Sequence, residues 1–124
     1  IRTRLESVRT RAGIETDIDL RLPGHLPAAI EAAIFKNVSE AVNNVEKHAI
    51  ATRVKVSAHP ADGGIRVVVS DDGKGFVVAE SMHVPGHLGL TAMRERSQLA
   101  GGRCRIESEP GAGARVEFWI PINQ

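Results

Sequence analysis

The segment from Pro27 to Ala49 constrains the fold most. Its apolar residues Ala29, Ile30, Ala33, Ile34, Val38, Ala41, Val42 and Val45 recur at spacings of three and four, the period that lines one side of an α-helix. A helix with so broad an apolar stripe must lie against a second layer. On the same helix Glu40, Asn44 and Lys47 stand four and three apart and project from one face, with Asn37 at the edge of that stripe. An amide oxygen and a carboxylate are hard ligands suited to Mg²⁺, and a nearby lysine suits phosphate. Taken alone, these residues read first as a solvated helix face.

Short alternating segments supply the second layer. Ile14, Ile18 and Leu20 alternate with polar residues until Leu22-Pro23-Gly24 breaks the pattern. Strands from Arg53 to Ala58 and from Ile65 to Ser70 flank Asp62-Gly63-Gly64, a turn sequence that predicts an antiparallel hairpin. Arg103 to Ser108 and Arg115 to Ile120 flank Pro110-Gly111-Ala112-Gly113 and predict another. Between the hairpins, Asp71 to His87 carries Gly73, Gly75, Pro85 and Gly86 with little periodicity. It reads as a loop leading into a helix from about Leu88 to Leu99, which Gly101-Gly102 stops. Residues 1 to 12 read as a short charged helix, with Leu5 and Val8 three apart and Gly13 ending it. The order β, α, ββ, α, ββ predicts an α+β fold, a two-layer sandwich whose mixed, mostly antiparallel sheet carries its helices on one face.

The chain is 124 residues long, which suits one domain with a real core, and no boundary is expected inside it. With 42% hydrophobic and 25% charged residues it has a soluble globular composition. Its apolar runs fall short of a membrane span and no signal peptide opens it, so we expect no membrane insertion and a cytoplasmic location. A net charge of +1 gives no general pull toward nucleic acid; any anion must be recognised locally. The single cysteine, Cys104, sits in a predicted strand and reads as packing rather than as a nucleophile. His83 and His87 lie in a glycine- and proline-containing loop with no second ligand pair, so no zinc site is expected. Arg94 and Arg96 read as surface charges or as contacts to phosphate or a dimerisation domain, with no site assigned to them, and Trp119 as sheet packing.

Two loop motifs accompany the helix. Asp71-Asp72-Gly73-Lys74-Gly75 follows the Val67-Val68-Val69 strand. A carboxylate at the end of a buried strand can accept a hydrogen bond from an exocyclic amine, and the glycines allow close backbone approach to a planar ring or simply a sharp turn. Gly86-His87-Leu88-Gly89-Leu90 opens the last helix, where freed N–H groups and the helix dipole favour an anion. An ordinary helix entry would look similar. No G-x-x-x-x-G-K-[ST] sequence is present, which excludes a P-loop.

Together and in this order the motifs resemble the N, G1 and G2 boxes of the Bergerat-type ATPase domain shared by histidine kinases, gyrase, Hsp90 and MutL. The run from Asn37 to Ala49, with its Lys47-His48-Ala49 ending, is similar to the N box of sensor kinases that partner NarL-type response regulators. Gly89-Leu90-Thr91-Ala92-Met93-Arg94-Glu95-Arg96 followed by Ala100-Gly101-Gly102 is similarly distinctive. The likeness covers roughly residues 14 to 121 and, within that branch, leans toward actinobacterial oxygen-sensing kinases of the DevS and DosT kind.

The resemblance implies a Bergerat fold with a short ATP lid from Phe76 to Pro85. It implies that Asn44 holds Mg²⁺, that Glu40 accepts or orients the proton of an attacking imidazole, and that Lys47 and His48 lie near phosphate. Asp71 would read the adenine amino group, Gly73 and Gly75 would leave room for the base, and Gly86, His87, Leu88, Gly89 and Leu90 would face the phosphates. The implied partners are a phospho-acceptor dimerisation domain of the same kinase, a homodimer, and a NarL-type regulator downstream; residues 1 to 12 would be the end of the upstream dimerisation helix. Two features depart from the family pattern. Ala114 stands where many relatives carry threonine, and the phenylalanine-rich F box is missing although Phe76 adjoins the second motif. None of His25, His48, His59, His83 or His87 precedes an acidic residue, so the acceptor histidine is expected elsewhere. Two competing readings share the fold: a serine kinase of the anti-sigma-factor type, and a non-catalytic nucleotide-sensing module.

Overall fold

Both residues of the first hairpin turn have positive φ, 51° at Asp62 and 75° at Gly63, the twist that joins two antiparallel strands with least splay. The computed structural model describes residues 14–46, 50–78 and 89–122. In chain order these form β1 (Glu15–Leu20), α1 (Ala28–Asn44), β2 (Arg53–Ala61), β3 (Gly64–Asp71), α2 (Leu90–Leu99), β4 (Arg103–Ser108) and β5 (Ala114–Pro121). The predicted charged helix at residues 1 to 12 lies outside the described residues.

The strands make one five-stranded sheet in the order β1-β2-β3-β5-β4. Only β1 and β2 run parallel, joined through α1, and every other pair is antiparallel. β2 continues to Ala61, past the end expected at Ala58. β1 stops at Leu20 opposite Ala58, so Pro60 lies where β2 has become an edge and its missing N–H breaks no ladder.

The period of two along each strand decides what faces the helices. Val54, Val56 and Ala58 on β2, Ile65, Val67 and Val69 on β3, and Val116, Phe118 and Ile120 on β5 are all buried on one face. Ile30, Ala33, Ile34, Val38, Ala41 and Val42 of α1, with Leu90 and Met93 of α2, cover them. At about 25 cal/mol per Å² of apolar surface removed from water, a core of this kind is the main favourable term in stability. The opposite face carries Lys55, Arg66, Arg103, Arg105, Arg115 and Glu117, with Arg103 over the Trp119 ring at 4.7 Å. Trp119 is thus a packing residue of the outer face, its Nε1 donating to the Ala61 carbonyl at 2.7 Å. No described helix is long and apolar enough to cross a membrane.

Candidate functional site

Three chain ends meet at one end of the sheet. α1 finishes at Asn44, and the chain re-enters the sheet at Arg53. Beside that residue β3 finishes, the Asp72 N–H donating to the Arg53 carbonyl at 3.3 Å. α2 starts here as well, because its far end leads into Arg103, opposite Trp119 at the other end of β5.

Asp71 is in phase with Ile65, Val67 and Val69, so its carboxylate points to the helix side of the sheet. Its neighbours across the strands are Ala114 and then Ser108. These residues, with Val78, Ile106 and Gly113, line an open cleft of about 590 Å³. Burial pushes the Asp71 carboxyl above its usual range; the Gly73 N–H, donating to Oδ1 at 2.7 Å, opposes this, and the Asp72 charge adds to it. A half-buried carboxylate in a cleft of mixed polar and apolar lining can select a ligand amine.

Asp72 faces the other way and does a different job. It accepts from the Thr52 hydroxyl and from the backbone N–H groups of Thr52 and Arg53, both at 2.9 Å. The Thr52 hydroxyl first, then the two amides, hold this carboxyl down at about 2. It ties the loop after β3 to the start of β2.

The loop from Asp72 to Phe76 interlocks with the turn before β5. The Gly111 N–H donates to the Lys74 carbonyl. The Phe76 N–H donates to Ser108 Oγ at 2.9 Å, and that hydroxyl donates to the Gly113 carbonyl at 2.8 Å. Gly75, at φ 65°, leaves no space for a Cβ because the Glu109 carbonyl oxygen occupies it. The glycine requirement at 75 therefore has a cause within the fold, apart from any room for a base. Gly73 is buried, with its N–H committed to Asp71.

On α1, Asn37 is not at the rim of a solvated stripe, as its spacing suggested, but fully buried. α2 lies over that side of α1 and supplies partners: Asn37 Nδ2 donates to Ser97 Oγ at 3.0 Å, and Arg96 Nη1 donates to Asn37 Oδ1 at 2.7 Å. Ser97 Oγ donates in turn to the Met93 carbonyl at 2.9 Å. Arg96 Nη2 reaches Glu40 Oε1 at 2.9 Å with side chains only 24% and 29% exposed. Arg96 is thus no simple surface charge. The second carboxylate oxygen, Glu40 Oε2, is buried with no hydrogen-bond partner among the described residues and faces Gly89, whose Cβ would collide with it.

Gly89 caps α2 in the left-handed region at φ 63°. The Leu90 side chain is 1% exposed and belongs to the core, so any contact it makes with an anion falls to its backbone. Asn44 is half-buried at the last position of α1. Lys47, His48, Gly86, His87 and Leu88 lie outside the described residues, as do residues 79–85, most of the expected lid. Among the described residues no three His, Cys, Asp or Glu side chains converge as a metal-ligand set. A cation beside Asn44 could take further oxygen ligands from a bound molecule, as Mg²⁺ does on phosphates. Burial pushes the Cys104 thiol up to about 11, in keeping with a packing role.

The sequence reading missed Asp72, Arg96, Ser97 and Ser108. Hairpin register sets Ser108 opposite Ala114, but its place two strands from Asp71 follows from the β3–β5 pairing, which no local pattern reports. Asp72 could have been found from the period of two, which turns it away from its neighbour's site.

A family model described as histidine kinase-, DNA gyrase B-, and HSP90-like ATPase matches residues 29–124. An uncharacterized sensor-like histidine kinase of Chloroflexus aurantiacus is 37% identical over 128 aligned residues, covering 95% of this chain and 21% of that protein. The signal transduction histidine-protein kinase/phosphatase DegS of Brevibacillus brevis is 36% identical over 96 residues, covering 77% of this chain and 24% of that protein. The chain thus spans about a quarter or less of these relatives. Among solved structures, the ATP-binding domain of PrrB from Mycobacterium tuberculosis superposes with a TM-score of 0.74 at 26% identity, covering 99% of this chain and 90% of that one. The α+β architecture, the mixed sheet with helices on one face and the match over most of the chain agree, and the chain belongs to the histidine kinase-, gyrase B- and HSP90-like ATPase family.

Proposed function

We propose that the chain is one ATP-binding catalytic domain of a sensor histidine kinase of the NarL-partnered branch. It donates the γ-phosphoryl group of Mg-ATP to a histidine on the dimerisation domain of the same homodimeric kinase, for relay to a NarL-type response regulator in the cytoplasm. The observation that carries this reading is the placement of Asp71. Its carboxylate is half-buried at the foot of the cleft, with one oxygen committed to Gly73, which suits the adenine amino group. Guanine presents an oxygen at that position and would be repelled.

Asn44, at the end of α1, would hold the metal, with Lys47 and His48 near the phosphates. Bound Mg²⁺ would neutralise charge on the triphosphate as the phosphoryl group departs. The backbones of Gly86, His87, Leu88, Gly89 and Leu90 would face the phosphates at the start of α2. Glu40 would orient the attacking imidazole through the oxygen that Arg96 does not engage, taking its proton as the N–P bond forms. Ala114 offers no hydroxyl to the cleft, and this favours, as the second reading, a module that senses nucleotide without transferring phosphate.

Calorimetric titration with ATP and GTP, with and without Mg²⁺, tests the binding step. The expected result is Mg²⁺-dependent binding of ATP in preference to GTP, lost in Asn44→Ala. Equal affinity for the two nucleotides would sink the adenine assignment. In the polypeptide that joins this chain to its dimerisation domain, ATP binding without labelling of a histidine by γ-phosphate would establish the sensing module instead.

A further inference from the structure

The polar network between α1 and α2 holds a carboxylate in a specific way. Arg96 uses its two terminal nitrogens on two acceptors, Nη2 on Glu40 Oε1 and Nη1 on Asn37 Oδ1. Asn37 is itself fixed by Ser97, and both are completely buried. A planar guanidinium forked between two anchored groups leaves little rotational freedom to any of them. Glu40 Oε2 is left buried against Gly89, with no partner among the described residues. An unsatisfied buried carboxylate oxygen is costly, and this one sits where α2 begins, beside the backbone expected to face phosphate.

We propose that Arg96 is a positioning residue for Glu40. It engages one carboxylate oxygen so that the other stays aimed at the start of α2, where a donor N–H of the phosphoryl acceptor completes its hydrogen bonding. The proposal rests on the role given to Glu40 above. Arg96 touches neither nucleotide nor acceptor; it acts through Glu40. Gly89 belongs to the same device, since any side chain there would occupy the space in front of Oε2.

The test uses the polypeptide that joins this chain to its dimerisation domain, with four variants: Glu40→Gln, Arg96→Met, Arg96→Lys and the double variant Glu40→Gln/Arg96→Met. Mg-ATP affinity, single-turnover transfer to histidine at saturating Mg-ATP, and melting temperature are measured for each. Arg96→Met is expected to slow transfer roughly 10- to 100-fold, as a mispositioned proton acceptor would, and Glu40→Gln, which removes the acceptor, roughly 100- to 10,000-fold, each with affinity within about threefold of wild type. The double variant is expected to be no slower than the slower single one, because both act on one group. Arg96→Lys keeps the charge but cannot fork, and is expected to fall between wild type and Arg96→Met.

Wild-type transfer in Arg96→Met, losses that multiply in the double variant, or weakened affinity with unchanged transfer would each overturn the proposal. Should Arg96→Met not fold, Arg96→Lys decides: slowed transfer at unchanged affinity supports the proposal, and a wild-type rate overturns it. Wild-type transfer in Glu40→Gln would overturn the role of Glu40 and this proposal with it. Failure of the unaltered protein to bind Mg-ATP would overturn the functional reading itself, a result distinct from independent effects at residues 40 and 96.

Discussion

Asp72 and Thr52 are joined twice, the carboxylate of one accepting both the backbone N–H, at 2.9 Å, and the hydroxyl of the other. The pair fixes the entry to β2 against the exit from β3. Its folded-state pKa, about 2 against an ordinary 3.8, makes its contribution complete at pH values above the unfolded pKa and lost as pH falls through about 2. Asp72→Asn should therefore lower the urea midpoint at pH 7, and the two proteins should converge near pH 2. Equal midpoints at pH 7 would show that the clamp contributes nothing.

Asp71 behaves oppositely. Burial raises its folded-state pKa, so its contribution to stability is greatest below the unfolded pKa and declines as pH rises through the folded one; at neutral pH the ionised carboxylate is a cost. Asp71→Asn retains an acceptor for Gly73 but turns an NH₂ toward the adenine amine. It should melt at the same temperature as wild type or higher, yet bind ATP roughly 10- to 100-fold more weakly, as expected from a hydrogen bond to a charged group at about 1.5 to 3 kcal/mol. Calorimetry and thermal unfolding of one sample give both answers.

Gly113 and Gly111 both adopt positive φ, 76° and 83°. A Cβ on Gly113 would strike the Asp71 carbonyl, whereas one on Gly111 meets nothing within 4 Å. Gly111→Ala should cost only the left-handed conformation, about 1 to 2 kcal/mol. Gly113→Ala should cost at least about 1 kcal/mol more, through strain at a close backbone approach. Equal losses in denaturant would argue against that approach.

Ala114 pairs with Asp71 across β3 and β5 and lines the same cleft. A threonine there suits a strand and would add one hydroxyl to the cleft. Ala114→Thr should tighten Mg-ATP roughly two- to tenfold, the worth of one net hydrogen bond of about 0.5 to 1.5 kcal/mol. Unchanged or weaker affinity in the titration would show that the hydroxyl finds no partner on the nucleotide.

Periodicity alone made most of the frame readable. The apolar stripe of α1, the alternation of β2 and β3 and the glycine turns gave each element its type and bounded most ends to within a few residues. Asp71 was readable as well, because a carboxylate in phase with buried valines points to the core side of its sheet, where burial demands a polar partner. Asn37 misled, since an amide on a helix looks solvated until a second helix covers it, and no local pattern reports that α2 crosses there. Arg96 and Ser97 were missed for the same reason, being partners of α1 from some 60 positions away in sequence. Gly75 has a further reason to be glycine that the sequence did not show: the Glu109 carbonyl crowds it, a neighbour that only sheet pairing brings close.

The sheet closes between β3 and β5 across the whole excursion from Asp72 to Gly113, and each strand of that pair also belongs to a hairpin with its own turn. Because the cost of closing a loop grows only with the logarithm of its length, about 0.6 kcal/mol per doubling, the number of residues between β3 and α2 can change at little expense to the frame. On the function proposed above, the walls of the cleft would thus be inherited from the sheet, and the residues joining β3 to α2 would be free to set opening rate and partner choice in chains whose nucleotide contacts stay the same.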